Sequence, residues 1–150
     1  MANFTIAEMV QSNTADRLKI SNNPPASVRV HLTETITLLE YIRAEWEEYC
    51  EQHGLGNPSI RISSGYRSPE LNKAVGGAKN SAHLEGYAAD LQPVNGAQKE
   101  FEKFFVKEFS KKGYSFDQII IEKSKTARWV HVGYKKADGT QRRQCFTLNV

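Results

Sequence analysis

The sequence predicts an α+β fold, in which a small and mainly antiparallel sheet is flanked by helices. Two stretches repeat apolar residues at helical spacing, and several short stretches alternate apolar and polar residues as half-buried strands do. These stretches lack the repeated strand–helix–strand order that a parallel sheet needs. With 150 residues, 39% hydrophobic and 25% charged, the chain is expected to form one domain over residues 1–150.

Three helices are predicted. The longest covers residues 28–52, where apolar side chains recur at three-, four- and seven-residue steps before Gly54 ends the pattern. A short helix is predicted over residues 69–75, because Ser68 can cap it and Pro69 suits a first turn. The third covers residues 96–112 and carries four aromatic side chains on one face, a pattern typical of core packing: Phe101, Phe104, Phe105 and Phe109.

Five strands are predicted, over residues 59–63, 87–91, 117–122, 128–134 and 141–148. The dipeptide Asp138-Gly139 lies between the last two, and this dipeptide strongly favours a hairpin turn. We therefore expect the last two strands to form a hairpin.

Composition argues against several functional classes. No apolar run approaches the roughly 18 residues of a membrane span, and the first residues lack the basic and apolar regions of a secretory signal. We therefore expect that the protein is made in the cytoplasm and that it has no membrane partner. The net charge of +3 suits contact with an anionic polymer such as cell wall without requiring it. Nucleic-acid binding would use the basic cluster near the C-terminus, which consists of Lys135, Lys136, Arg142 and Arg143. No recognition motif accompanies these residues, so nucleic acid is not expected as a partner.

The segment from Ser81 to Asp90 carries the clearest chemistry. His83 and Asp90 are seven residues apart, and His131 lies in a predicted strand. Two imidazoles and one carboxylate can hold Zn²⁺ and leave a fourth position for water. On these residues alone, a metal site and a set of ordinary hydrogen-bonded side chains both stay open.

A longer pattern resembles a known family. The run Ser81-x-His83-x-x-Gly86-x-Ala88-x-Asp90, followed by Trp129-Val130-His131, resembles the signature of zinc D-alanyl-D-alanine carboxypeptidases and the phage endolysin peptidases related to them. The SGYRS segment at residues 64–68 and the DQII segment at residues 117–120 also resemble that family, and the matches follow one order along most of the chain. The resemblance implies a Hedgehog/DD-peptidase-like fold and zinc bound by His83, Asp90 and His131.

The resemblance also implies two residues that bind substrate. Arg67 would grip the terminal carboxylate of the substrate or a nearby carbonyl, since a guanidinium can bind bidentately where a lysine cannot. A surface ion pair is the alternative role for Arg67. Ser81 would hydrogen-bond the substrate backbone, and its alternative role is a turn or cap residue.

The general base is less clear, because this chain departs from the better-known pattern. Those relatives place Asp or Glu three residues before the last histidine, where this chain has Arg128. Arginine cannot accept a proton near neutral pH. If residues 117–122 pair antiparallel with residues 128–134, Glu122 lies near the turn and reaches the metal, so Glu122 is the predicted base. Asp117 and Glu85 are the other carboxylates considered.

These residues together predict a zinc metallopeptidase that hydrolyses peptidoglycan stem peptides. It would be a D-Ala-D-Ala carboxypeptidase if the site takes a free carboxylate, or a cell-wall endopeptidase if the groove is open at both ends. A monomer is expected, which would reach the wall after release as a phage or prophage lysin does. The alternative is a non-catalytic zinc-containing peptide- or wall-binding protein of the same fold, with Arg128 marking lost catalysis.

Overall fold

The computed structural model of the protein describes residues 2–150. Five α-helices are present: α1 Ile6–Val10, α2 Asn13–Leu18, α3 Ala26–His53, α4 Pro69–Ala74 and α5 Gln98–Lys107. Two short 3₁₀ helices cover Ala82–Glu85 and Phe109–Lys111. Five strands form one sheet: β1 Ile60–Ser64, β2 Ala88–Pro93, β3 Gln118–Lys123, β4 Arg128–Gly133 and β5 Gln144–Asn149.

The sheet is mainly antiparallel, as expected. Its strand order is β1-β2-β4-β3-β5, and only the pairing of β3 with β5 is parallel. The predicted α+β class is therefore confirmed. Within residues 2–150, no helix is both long enough and apolar enough to span a bilayer.

The two faces of the sheet differ sharply. One face packs against α3 and α5, where Trp46 meets the rings of Phe101 and Phe104 at centroid distances of 4.9 and 5.3 Å. Buried strand residues such as Ile121 and Val130 point into this core. Because successive side chains on a strand alternate between faces, the residues between them point to the other face, away from α3 and α5. That other face carries the polar site.

The predicted hairpin between the last two strands is wrong. The Asp138-Gly139 turn does form, since Lys136 N donates to Thr140 O, but β5 pairs with β3 instead of β4. The chain is drawn past the end of β3 because Asp117 binds the Arg142 guanidinium and Asp117 O accepts from Gln144 N. These contacts place β5 on the far side of β3.

The long helices match their predicted positions with one difference. Residues 28–52 lie within α3, whereas α5 ends at Lys107 and does not continue to residue 112. The backbone of Glu108 leaves helical geometry (φ −124°, ψ −65°), and the 3₁₀ helix that follows keeps Phe109 in the core. The ring of Phe109 stacks there on Tyr114, with centroids 5.1 Å apart.

The N-terminal helices, which sequence patterns did not predict, hold the segment after β1 in place. Met9 O accepts a hydrogen bond of 2.7 Å from Tyr66 N. The amide of Asn22 donates to Tyr66 O and accepts from Ser68 N. Residues 65–68 are thus held by the N-terminal segment.

Candidate active site

The predicted metal ligands come together on the polar face of the sheet. Asp90 on β2 lies directly opposite His131 on β4, and Asp90 Oδ1 is 3.0 Å from His131 Nδ1. The same oxygen is 3.4 Å from Nε2 of His83, which the 3₁₀ helix Ala82–Glu85 carries. One ligand atom from each residue lies within 4.8 Å of the other two.

The orientation of His83 is fixed by its second ring nitrogen. Nδ1 lies 2.7 Å from Gly65 O and must donate to that carbonyl, so Nε2 keeps its lone pair for the cluster. Gly65 itself is required by close packing, since a Cβ there would lie 2.2 Å from Met9 O. Burial lowers the pKa of His83, which favours the neutral imidazole that a metal needs.

The short helix that carries His83 is anchored to α3. Thr35, fully buried, donates from Oγ1 to Gly86 O at 2.7 Å. His31 Nδ1 donates to Glu85 O, also at 2.7 Å. Gly86 adopts a positive φ of 77° and packs against Val28, so this tight turn fixes the C-terminal end of the His83 segment.

Asp90 is held in its ionised form. Burial by itself would raise its pKa, but His83 and His131 interact with the carboxylate and hold the pKa of Asp90 well below its ordinary value. The residue therefore offers a charged oxygen to the cluster at any pH near neutrality.

Glu122 lies beside the cluster because the expected antiparallel pairing of β3 with β4 is present. It pairs with Trp129, which places it diagonally across from His131 on the same face. Glu122 Oε1 is 3.7 Å from His131 Nδ1. Burial raises the pKa of Glu122, and Asp90 raises it further, while His131 and Arg67 act in the opposite direction.

The other carboxylates considered for the base are placed differently. Both oxygens of Asp117 bind the Arg142 guanidinium, at 2.9 and 2.6 Å. Glu85 lines a second cavity and not the main cleft. Within residues 2–150, Glu122 is the carboxylate side chain other than Asp90 that lines the main cleft.

Arg128, which departs from the familiar pattern, does not enter the site. Arg128 precedes His131 by three residues on a regular strand. Because successive side chains alternate between faces and three is an odd number, the Arg128 side chain lies on the face opposite His131. There it forms two hydrogen bonds with Glu102, at 2.9 and 2.5 Å. The guanidinium thus serves the packing of α5 on β4 and leaves the cluster free.

Arg67 points into the cleft. Its Nε is buried and has no hydrogen-bond partner within the described part of the chain. Burial lowers the pKa of the guanidinium while Asp90 and Glu122 raise it, and arginine stays protonated in proteins in any case. Gly77 makes room for the side chains of Asn72 and Arg67, because a Cβ there would clash with Asn72 Oδ1 and lie 2.7 Å from Arg67 Nη1.

Ser81 serves as a cap, the alternative considered for it. Its Oγ accepts from His83 N at 3.2 Å, and its hydroxyl proton remains available for a further partner.

Trp129 is a site residue that sequence reasoning used only as part of the motif. Its buried Nε1 lacks a hydrogen-bond partner in residues 2–150, and the alternation of the WVH run could have placed it beside His131.

Two cavities flank the cluster. The main cleft, of about 1030 Å³, contains Arg67, Glu122 and Trp129 together with all three candidate ligands. A second cavity of about 550 Å³ shares Ser81 and His131 with the first. Space for a ligand therefore exists on both sides of these two residues.

The donor set fits a divalent metal. Two imidazole nitrogens and one carboxylate oxygen converge, His83 is neutral with its lone pair aimed inward, and the cleft leaves one side of the cluster open. Nitrogen and oxygen donors of this kind, three in number, are typical of a catalytic zinc site.

Comparisons with known proteins agree with this chemistry. Residues 2–133 match the family model described as Peptidase M15. A curated zinc D-Ala-D-Ala carboxypeptidase of Streptomyces albus G is 32% identical over 89 residues, which cover 59% of this chain and 31% of the relative. The matched part thus spans about a third of the length of that relative.

Proposed function

Because the chain belongs to the peptidase M15 family, we propose that it is a zinc peptidase that hydrolyses peptide bonds in bacterial cell-wall stem peptides. Zinc is the metal that the family and the similar carboxypeptidase indicate. The observation that carries the proposal is the cluster of His83, Asp90 and His131, with Glu122 next to it in one cleft.

His83 Nε2, Asp90 and His131 Nδ1 would hold the metal. Bound there, zinc supplies Lewis acidity, which polarises a carbonyl and makes a water acidic enough to attack near neutral pH. The protein contributes the orientation of these ligands, above all through the hydrogen bond from His83 Nδ1 to Gly65 O.

Glu122 would move the protons. Its carboxylate accepts a proton from the attacking water and passes that proton to the nitrogen of the departing amine. Burial raises the pKa of Glu122, and a raised pKa helps a carboxylate both to accept and to release a proton near neutrality. Arg67 lines the same cleft and would bind a carbonyl or carboxylate of the substrate through its free donors.

The two cavities favour cleavage within a peptide. A carboxypeptidase needs room for one terminal residue beyond the cut bond, whereas an endopeptidase needs a groove on both sides. The second cavity, of about 550 Å³, gives room for several further substrate residues beyond Ser81 and His131, as an endopeptidase needs. We therefore place an endopeptidase first and a D-Ala-D-Ala carboxypeptidase second.

A wall-degrading lysin of phage or prophage origin is the biological role that we propose. A net charge of +3 supports it, because a basic protein is attracted to an anionic wall polymer. Lysis of permeabilised bacterial cells by added protein, with a Glu122→Gln control, tests this role. Turbidity that stays constant with both proteins would contradict it.

Hydrolysis of defined stem peptides tests the enzymatic proposal. We expect the zinc-loaded protein to cut such peptides, and Glu122→Gln to slow the reaction by about 10²- to 10⁴-fold while one zinc per chain is retained. Glu51→Gln is the matched control and should keep most of the activity, because Glu51 is an exposed residue of α3 that lines neither cavity.

Two outcomes would overturn this proposal. Full activity in Glu122→Gln would remove Glu122 as the base. A protein that binds zinc and stem peptides but cuts none of them would be the non-catalytic binding protein considered from the sequence.

A further inference from the structure

Arg61 stands where two cavities meet. It lines the main cleft that holds the metal ligands, and it also lines a third cavity of about 630 Å³ on the other side of its side chain. That third cavity lies between the end of β2, the start of α5 and the turn that joins β3 to β4. Gln92, Lys125 and Arg128 are among its other lining residues.

The Arg61 guanidinium is held in position by Gln92. Arg61 Nη2 donates to Gln92 Oε1, and Gln92 Nε2 donates to Arg128 O at 3.0 Å. The amide of Gln92 is therefore fixed at both ends. One of the five guanidinium donors is used in this contact, and the others remain free for a ligand.

The position of Gln92 on β2 relates Arg61, its partner on β1, to the proposed metal site. Gln92 follows Asp90 by two residues on β2, so both side chains point to the same face of the sheet. Two residues along a strand span about 7 Å. An extended peptide bound over Asp90 would therefore bring its second residue from the cut bond near Arg61.

The lining of the third cavity is positively charged. None of the residues that line the third cavity is Asp or Glu, and Arg61 and Lys125 are both exposed. Arg128 is neutralised by Glu102, but Arg61 forms no ion pair with any residue from 2 to 150. The cavity therefore offers two free cations to an anionic group.

We propose that Arg61, assisted by Lys125, binds a carboxylate of the substrate about two residues from the bond that is cut. This rests on the proposed function and adds a specificity-determining residue to it. A planar guanidinium suits a carboxylate because it donates two parallel hydrogen bonds. The preferred substrate is thus an acidic peptide, and amidation of that carboxylate weakens its binding.

A binding measurement tests the subsite without the need for hydrolysis. Zinc-loaded Glu122→Gln protein is titrated, by calorimetry, with a synthetic stem peptide that has its glutamyl carboxylate free, and with the same peptide amidated at that carboxylate. We expect the acidic peptide to bind about fivefold more tightly, the size expected of an exposed charge pair. Adding Arg61→Gln should abolish the difference, and Lys125→Gln should reduce it.

Arg29→Gln is the matched control, because Arg29 is an exposed arginine on α3 outside all three cavities. It should leave the preference unchanged. Equal affinity for the two peptides, or a preference that survives Arg61→Gln, would overturn the proposal. If the wild type cuts neither peptide while the Arg61-dependent preference is present, the enzymatic proposal fails and the subsite stands.

Discussion

Asp90 and His131 face each other across two paired strands, with Oδ1 of one 3.0 Å from Nδ1 of the other. Strand pairing sets this contact, so it depends on backbone hydrogen bonds more than on side-chain choice. His83 joins the pair from a separate short helix. Residue 131 is thus brought to residues 83 and 90 by the folding of the sheet.

Removal of His83 should abolish zinc binding. We expect His83→Ala to lower zinc affinity by at least about 100-fold, since loss of a ligand costs more than loss of the groups that orient one. Circular dichroism should show a folded protein. Metal content after dialysis checks the prediction, with His53→Ala as the control, because His53 lies at the end of α3 far along the chain from the cluster. One tightly bound zinc in the His83 variant would show that the ligand assignment is wrong.

Replacement of Arg67 by lysine should weaken substrate binding. The guanidinium can donate bidentately and the ammonium cannot, so we expect KM for a stem peptide to rise about 10-fold with a smaller change in kcat. Steady-state kinetics check this, with Arg17→Lys on α2 as the control for a general effect of the exchange. Unchanged kinetics in the Arg67 variant would exclude its role in substrate binding.

The ion pair between Asp117 and Arg142 should contribute stability that depends on pH. Burial alone would raise the pKa of Asp117, but hydrogen bonds from Arg142 hold it below the ordinary value of 3.8. A lowered pKa means that the contribution is complete above pH 3.8 and is lost as the pH falls through the folded-state pKa.

Asp117→Asn should therefore reduce the free energy of unfolding by about 1–2 kcal/mol at pH 7. Urea denaturation at pH 7 and at pH 3 measures the difference between the variant and the wild type. We expect this difference to shrink at the lower pH. A difference that is equal at both pH values would show that the carboxylate charge contributes nothing.

The anchor between α3 and the His83 segment should affect both folding and metal binding. Thr35→Val keeps the shape of the side chain but leaves Gly86 O without its buried donor, at a cost of about 1–3 kcal/mol. Zinc affinity should fall several-fold as the His83 segment loosens. Thr33→Val is the matched control, because Thr33 bonds only to Arg29 O within the same helix. Equal effects of the two substitutions on zinc affinity would contradict the anchoring role.

Local patterns predicted most of the elements of this fold. The apolar spacing of α3 and the alternation in β1 and β4 are set by burial of one face, and burial is visible in the sequence. The hairpin prediction failed because Asp138-Gly139 determines only a turn. The pairing of β5 is decided by Asp117 and Arg142, which are 25 residues apart.

The candidate site was predicted only in part, because some of its contacts join distant segments of the chain. The motif identified His83, Asp90 and His131, whose side chains the structure brings together. Arg128 does not enter the cluster because side chains alternate between the two faces of a strand, which puts it on the face opposite His131. The roles of Gly77 and Gln92 depend on contacts between distant segments, and no local pattern indicates those contacts.

A crystal structure of the zinc-loaded protein, with anomalous data at the zinc edge, would examine the metal assignment most directly. We expect one strong peak about 2.0–2.2 Å from His83 Nε2, an oxygen of Asp90 and His131 Nδ1. A peak at another place, or zinc held by only one of the two histidines, would contradict the proposed metal site and the peptidase activity that depends on it.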